Sequence, residues 1–338
     1  MLSKDSLGSI HPYNIMSNSK ITIGIPTYNR SLKLDRTLSL LYQFYNTEIQ
    51  DGILEILVVD NCSTDGTKAI LEKYSTQIKN FKYFIQESNV GYDLNVLTVY
   101  QKGESQYIWL FADDDIPISY ALNEILDALE NNIIDILLFS FAQPKENSKK
   151  AFNFEKPVHY IDKPKEIISL VLQYPKISIY VLKKINFNNI DIVEINKFVG
   201  DGWMHLVLSF SILNKNKKNK LAIISKVLAH SDDEFDMLTY SINAFEKSYK
   251  IAYHSYIKSF NPNLLNGMKK NSYIDCIQFA FAAKSGTLRI IDQSSYEIYI
   301  KKINWKIHFL WDNPKKIIQL FLLKYNLVKI FFKPKIRQ

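Results

Sequence analysis

Cysteine is nearly absent. Two residues in 338, Cys62 and Cys276, cannot make a disulfide framework, and this usage fits a reducing compartment. Glycine and proline number ten each, which excludes a collagenous or low-complexity chain. Long uncharged runs are also missing: the two longest, 6–19 and 202–214, have 14 and 13 residues, against the roughly 20 needed to cross a bilayer. Residues 1–20 are rich in Ser and Asn and lack an apolar core, so a secretory signal is not expected. Acid is scarce at one end. Within 301–338, Asp312 is the single acid against nine lysines and Arg337, a local charge of +9. The whole chain carries +8, so the other 300 residues sum to −1. A near-neutral body with a basic end is not the uniformly basic surface of a nucleic-acid binder, and no nucleic-acid partner is expected.

What is present is apolar material, 47% of the chain, arranged in alternating segments. Short apolar runs at 21–26, 54–60, 82–86, 107–112 and 134–141 predict strands. Helical spacing follows them at 32–44, 67–74, 91–101 and 119–129, with Asp65 placed to cap the second helix. Strands with near-continuous apolar runs, separated by helices, predict an α/β fold: a doubly wound, mostly parallel sheet with helices on both faces. The pattern then loosens. Residues 144–164 are polar with three prolines and predict a loop or small insertion. Strand-like runs at 177–182 and 221–228 flank Val199-Gly200-Asp201-Gly202-Trp203, and 214–220 reads as a charged turn. From about residue 239 the chain reads as helical.

In open α/β sheets, ligands bind beyond the carboxyl ends of the strands. Those ends carry Pro26-Thr27-Tyr28-Asn29-Arg30, then Asp60 to Gly66, then Glu87 to Gly91, then Asp113-Asp114-Asp115. Three adjacent carboxylates repel one another, and a divalent cation relieves that repulsion; hard oxygen ligands suit Mn²⁺ or Mg²⁺. In extended backbone Asp113 and Asp115 point one way and Asp114 the other. The same tripeptide also serves elsewhere as an acidic turn before a helix.

The four motifs, in this order over about 90 residues, resemble the nucleotide-sugar-binding half of family 2 glycosyltransferases, which have the GT-A fold. The resemblance covers 21–141 well and 175–235 loosely. It implies a domain over 20–235, with a nucleotide-sugar half at 20–142 and an acceptor half at 143–235, between a flexible segment 1–19 and a helical region 236–338. By the resemblance, Pro26, Tyr28, Asn29, Arg30, Asp60, Asn89, Gly91, Asp113 and Asp114 meet the nucleotide sugar. Tyr28 would stack on the base, Asp60 would accept from base or ribose, and Asp113 would contact the ribose. Asp115, with Asp113, would hold Mn²⁺ or Mg²⁺. Many relatives have a basic residue just before the second Asn of the third motif, where this chain has Asp93-Leu94-Asn95. An acid after the nucleotide half is the general base in relatives, which makes Asp201 the catalytic candidate; Gly202 stands where the family more often has a second acid. Asp201 also suits a helix N-cap. His205 and His230 lie near this site in sequence, and Asp232-Asp233-Glu234 is an alternative acidic run.

The implied activity is metal-dependent, inverting transfer of one sugar from a nucleotide-diphosphate sugar to a glycan or lipid-linked glycan. The Gln-x-x-Arg-Trp motif of processive relatives does not occur in the sequence. A nucleotidyltransferase, or a nucleotide-sugar-binding module without turnover, would use similar strand ends. The tail predicts a helix starting at Asn313-Pro314 with a basic, amphipathic face. It suits either an anionic membrane surface, on the cytoplasmic side, or packing against the body.

Overall fold

The computed structural model describes residues 19–130, 134–142, 151–163, 166–167, 170–171, 176–200, 202–215, 220–231, 277, 281, 313–325 and 327–328. The first half alternates as its sequence pattern requires: β1 (Ile21–Thr27), α1 (Ser31–Gln50), β2 (Leu54–Asp60), α2 (Thr67–Gln77), β3 (Phe81–Ile85), α3 (Tyr92–Lys102) and β4 (Tyr107–Leu110). The chain continues through β5 (Ile116–Pro117), α4 (Ala121–Glu130), β6 (Ile136–Ala142), β7 (Val158–Ile161), a 3₁₀ turn at Ile177–Ile179, and β8 (Tyr180–Lys183). After these come α5 (Asn189–Asn196), α6 (Met204–Lys215), β9 (Leu221–His230) and α7 (Pro314–Lys324).

Among the described residues nine strands form one sheet, ordered β3-β2-β1-β4-β8-β6-β9-β5, with β7 beside β9. Strands β1 to β4 are mutually parallel, and all residues of β1 and β2 are buried because helices cover both faces. Strand order reverses at β1: β2 and β3 lie on one side of it, β4 on the other. That reversal opens a crevice beyond the strand ends. Register then decides which residues meet there. Thr27 pairs with Asp60 at the ends of β1 and β2, and the Phe111 amide donates to the Gly24 carbonyl, carrying 111–115 alongside the end of β1.

Helix α1 buries Leu34, Leu38, Leu41, Tyr45 and Ile49 at helical spacing, and runs past the predicted end at 44 through a kink at Tyr45. Helix α3 lies close on β1, because a Cβ at Gly24 would come within 2.3 Å of Val99 Cγ1. Asn313 caps α7 by accepting from the Lys316 amide, with Pro314 in the first turn, as the Asn-Pro pair predicts.

The second half departs from the simple alternation. Strand β6 does not follow β4 across the sheet; β8 intervenes and runs antiparallel to both. The polar segment expected as a loop holds β7, antiparallel to β9, with weak alternation across Val158, His159, Tyr160 and Ile161. Helix α5 escapes the apolar pattern and is set by a capping box between Asn188 and Asp191. The expected strand at 177–182 begins as the 3₁₀ turn, which turns Ser178 back toward β4. Of the expected domain boundaries, 1–18 and most of 232–338 lie outside the described residues.

Candidate functional site

The crevice at the β1 and β4 ends is built around Asp113. The Thr27 hydroxyl donates to its Oδ2 at 2.7 Å, and Arg30 Nη1 donates to its Oδ1 at 3.0 Å. The same Arg30 nitrogen reaches Asp114 Oδ2 at 2.8 Å, so one guanidinium bridges two adjacent acids. Burial raises the Asp113 pKa to about 6; Arg30 opposes this shift and the neighbouring Asp114 adds to it. The backbone of the tripeptide is held from α1. Thr37 Oγ1 donates to the carbonyls of Asp113 and Asp115, and Arg36 Nη2 to that of Asp114.

Asp115 goes elsewhere. Its Oδ1 is 2.9 Å from Lys176 Nζ, and its Oδ2 accepts from the Ser178 hydroxyl. Ser178 Oγ also accepts from the Ala112 amide, tying the turn to the segment before β8. Residues 113–114 form a turn and not extended chain, so the expectation that Asp113 and Asp115 point the same way fails. Their carboxylates diverge toward Arg30 and Lys176. Burial raises the Asp115 pKa, against the pull of Lys176 and the Ser178 bond.

This donor set does not fit the expected Mn²⁺ or Mg²⁺ at Asp115 and Asp113. Each carboxylate already has a cationic partner and a hydroxyl donor, and among the described residues no three His, Cys, Asp or Glu gather to hold an ion. The positive charge that balances the acids comes from the protein itself.

Around Asp113 the other loops assemble. Tyr28, directly after β1, is 42% exposed, which leaves an open aromatic face. Pro26 lies within β1, buried against β2 opposite Val59. Asn29 takes a left-handed φ of 52°, unusual for a non-glycine, and its Oδ1 accepts from the Thr64 amide. Cys62 does the same at φ 63°. Two such residues on adjacent strand ends mark loops whose shape is held by their surroundings. Asp60 is buried and accepts from the amide and hydroxyl of Ser63, so it shapes the turn after β2. Asp65 does the helix work: its Oδ1 accepts from the Thr67 amide and hydroxyl, and its Oδ2 from the Ser31 amide. Desolvation works against the ionised Asp65, but the hydrogen bonds from Thr67 and Ser31 outweigh it and lower its pKa to about 2. Asn89 Oδ1 accepts from Asn61 Nδ2 and from the Gly91 amide, joining the loops after β2 and β3.

Several functional positions carry no clear sequence signal. Thr37 reads as an ordinary helix residue, and Thr27 and Asn61, though within the strand-end motifs, carry no assigned role there. Lys176 and Ser178 sit beyond the recognisable half, and nothing in the chain ties them to Asp115. Asn95 Nδ2 donates to the Val59 carbonyl at 2.9 Å from inside α3. Asp93, visible in the sequence as a departure from the family pattern, accepts from the amides of Gly200, Gly202 and Met204. Asp201 and the alternative acids Asp232, Asp233 and Glu234 lie outside the described residues. His205 is buried with its ring edge-on to Tyr180 and Trp203, a core position. His230 Nδ1 meets the Ala142 carbonyl at 3.2 Å, and the β5–β9 register sets it opposite Ile116, next to Asp115 in the chain.

Residues 22–188 match the family described as glycosyl transferase family 2. That half of the chain is a family 2 glycosyltransferase domain. Over 127 residues the chain is 32% identical to an uncharacterized glycosyltransferase of Mycoplasma pneumoniae, covering 37% of this chain and 41% of that protein. Over 135 residues it is 23% identical to the GalNAc(5)-diNAcBac-PP-undecaprenol beta-1,3-glucosyltransferase of Campylobacter jejuni, covering 40% of this chain and 42% of the relative. The chain therefore spans less than half the length of these curated relatives. Among solved structures, Staphylococcus aureus TarS 1–349 in complex with UDP-GlcNAc superposes with a TM-score of 0.61 at 15% identity, covering 91% of each chain. At that identity the likeness is one of fold: this family 2 domain has the GT-A arrangement of that neighbour.

Proposed function

We propose that the chain is an inverting glycosyltransferase that moves one sugar from a nucleotide-diphosphate sugar to a hydroxyl of a glycan or lipid-linked glycan. The observation that carries this reading is the Thr27–Asp113–Arg30 cluster at the strand-order reversal, with the exposed Tyr28 beside it. Support also comes from the named activities of the relatives, one of which acts on a diphospho-undecaprenol-linked glycan, and from the UDP-sugar bound by the fold neighbour.

Tyr28 stacks on the nucleotide base, and Asp113 accepts from a ribose hydroxyl. Arg30, with 43% of its side chain exposed, meets the diphosphate. Asp201 is the general base. It takes the proton of the acceptor hydroxyl as that oxygen bonds to the anomeric carbon. The bond from that carbon to the phosphate oxygen breaks, and its electron pair leaves with the nucleoside diphosphate. A single displacement from the opposite face inverts the anomeric centre. Release of nucleoside diphosphate from a panel of nucleotide sugars tests this. Wild type should release it from at least one donor, and Asp201→Asn should be slower by about 10²–10⁴-fold, the usual weight of a general base. Full activity in Asp201→Asn removes the base assignment.

The tail supports a peripheral position on the cytoplasmic face of a membrane. No helix of the described residues is long and apolar enough to cross one. Helix α7 turns Leu320 and Leu323 inward and leaves Ile318 and Phe321 exposed, with Tyr325 exposed directly after it, within a segment of charge +9. Replacing Ile318 and Phe321 with Ser should reduce co-sedimentation with anionic vesicles, and unchanged binding sinks the idea.

A further inference from the structure

The Asp93 carboxylate is 3% exposed and spends its hydrogen bonds on a loop more than 100 residues away. Its Oδ2 accepts from the Gly200 amide at 2.8 Å and the Gly202 amide at 2.9 Å, and its Oδ1 accepts from the Met204 amide at 3.1 Å. The three amides fall on alternate residues on both sides of position 201. Gly200 and Gly202 adopt φ of 92° and 77°, and a Cβ would meet nothing within 4 Å at either. The glycines are therefore required by backbone conformation and not by crowding. A positive φ at each glycine lets alternate N–H groups converge on one anion.

The other end of the same helix segment belongs to the donor side. Asn95, two residues on, binds the Val59 carbonyl at the end of β2. Gly91, two residues back, binds Asn89, which in turn holds Asn61. Helix α3 and its N-cap thus hold the end of β2 and the loop after β3 through Asn95 and Gly91, and the 200–204 loop through Asp93. The next anchor of that loop is Trp203, 2% exposed, whose carbonyl accepts from Leu206 and Val207 as α6 begins.

We propose that Asp93 is a positioning residue: it fixes the loop carrying Asp201 relative to the donor loops, so that the base stands at a set distance from the anomeric carbon. This rests on the proposed role of Asp201.

The test compares Asp93→Asn, Asp201→Asn and the double variant with wild type. It uses nucleoside diphosphate release, calorimetric titration with nucleoside diphosphate, and hydrogen exchange of the loop amides. Asp93→Asn keeps the size of the side chain but offers one acceptor oxygen and a clashing NH₂. Exchange across 200–204 should rise, kcat should fall about 10- to 100-fold, as misplacement by about 1 Å costs, and nucleotide affinity should stay within about twofold. In the Asp201→Asn background the Asp93→Asn loss should vanish, since a positioning residue has nothing left to position. An additive loss in the double variant, or a lowered melting temperature with unchanged kcat, overturns the proposal. If Asp201→Asn is itself fully active, the base assignment falls and this inference falls with it. If only Asp93→Asn is without effect, the proposed function stands and the inference alone is lost.

Discussion

Asp113 is a buried acid whose charge is shared with Arg30, and its ionisation is linked to folding. Its native pKa, about 6, lies above the ordinary aspartate value of about 3.9, so between those values the native state binds more protons than the unfolded state. Stability contributed by this group is therefore full below about pH 4 and is lost as the pH rises through 6. The span of about two pH units is worth roughly 2–3 kcal/mol. In urea melts from pH 4 to 7, Asp113→Asn should lack this downward contribution, so its stability relative to wild type should improve as the pH rises; parallel curves would contradict the assignment. Lys176 plays the matching part for Asp115. It is 35% exposed along its side chain and lies 4.4 Å from the centre of the Phe141 ring. None of this pairing is legible from the tripeptide. Three acids in a row suggest a cation, and the turn that sends them to separate partners depends on Thr37 and Ser178, which reach the motif from other elements.

At the scale of elements, the strand ends work because their helices start together. Asp65 accepts from the first residue of α1 and the first residue of α2, and so holds both N-termini beside the loop from β1 that carries Tyr28 and Arg30. Asp65→Ala should cost about 1 kcal/mol, the usual weight of a lost cap. It should also loosen the Asn29–Thr64 contact, raising amide exchange at Thr64; no change in either would remove the dual role. The β1-to-β4 half is readable in sequence because covered parallel strands are apolar throughout and their helices keep one periodic face. The register, which sets Thr27 beside Asp60 and Asp113, is not readable, since it follows from pairing across the sheet. Beyond β6 the pattern fails for a physical reason. Antiparallel β8, short β5 and edge strand β7 are brief or amphipathic, and α5 is made by its capping box and not by an apolar stripe.

Taken whole, the molecule separates its charges. The excess of cation lies in the last 38 residues, and the acids and their protein-borne cations lie in the crevice. Helix α3 meets the end of β2 through Asn95 and the 200–204 loop through Asp93. The claim on which the rest depends is that a nucleotide binds where β1 and β4 end. Calorimetric titration with UDP, GDP and CDP measures it directly, using wild type and Arg30→Ala. At least one nucleotide should bind wild type, and Arg30→Ala should weaken that binding about 10- to 100-fold, the weight of a charge-assisted hydrogen bond. Equal affinity in the two proteins, or no binding of any nucleotide to wild type, would contradict a nucleotide site at this strand-order reversal.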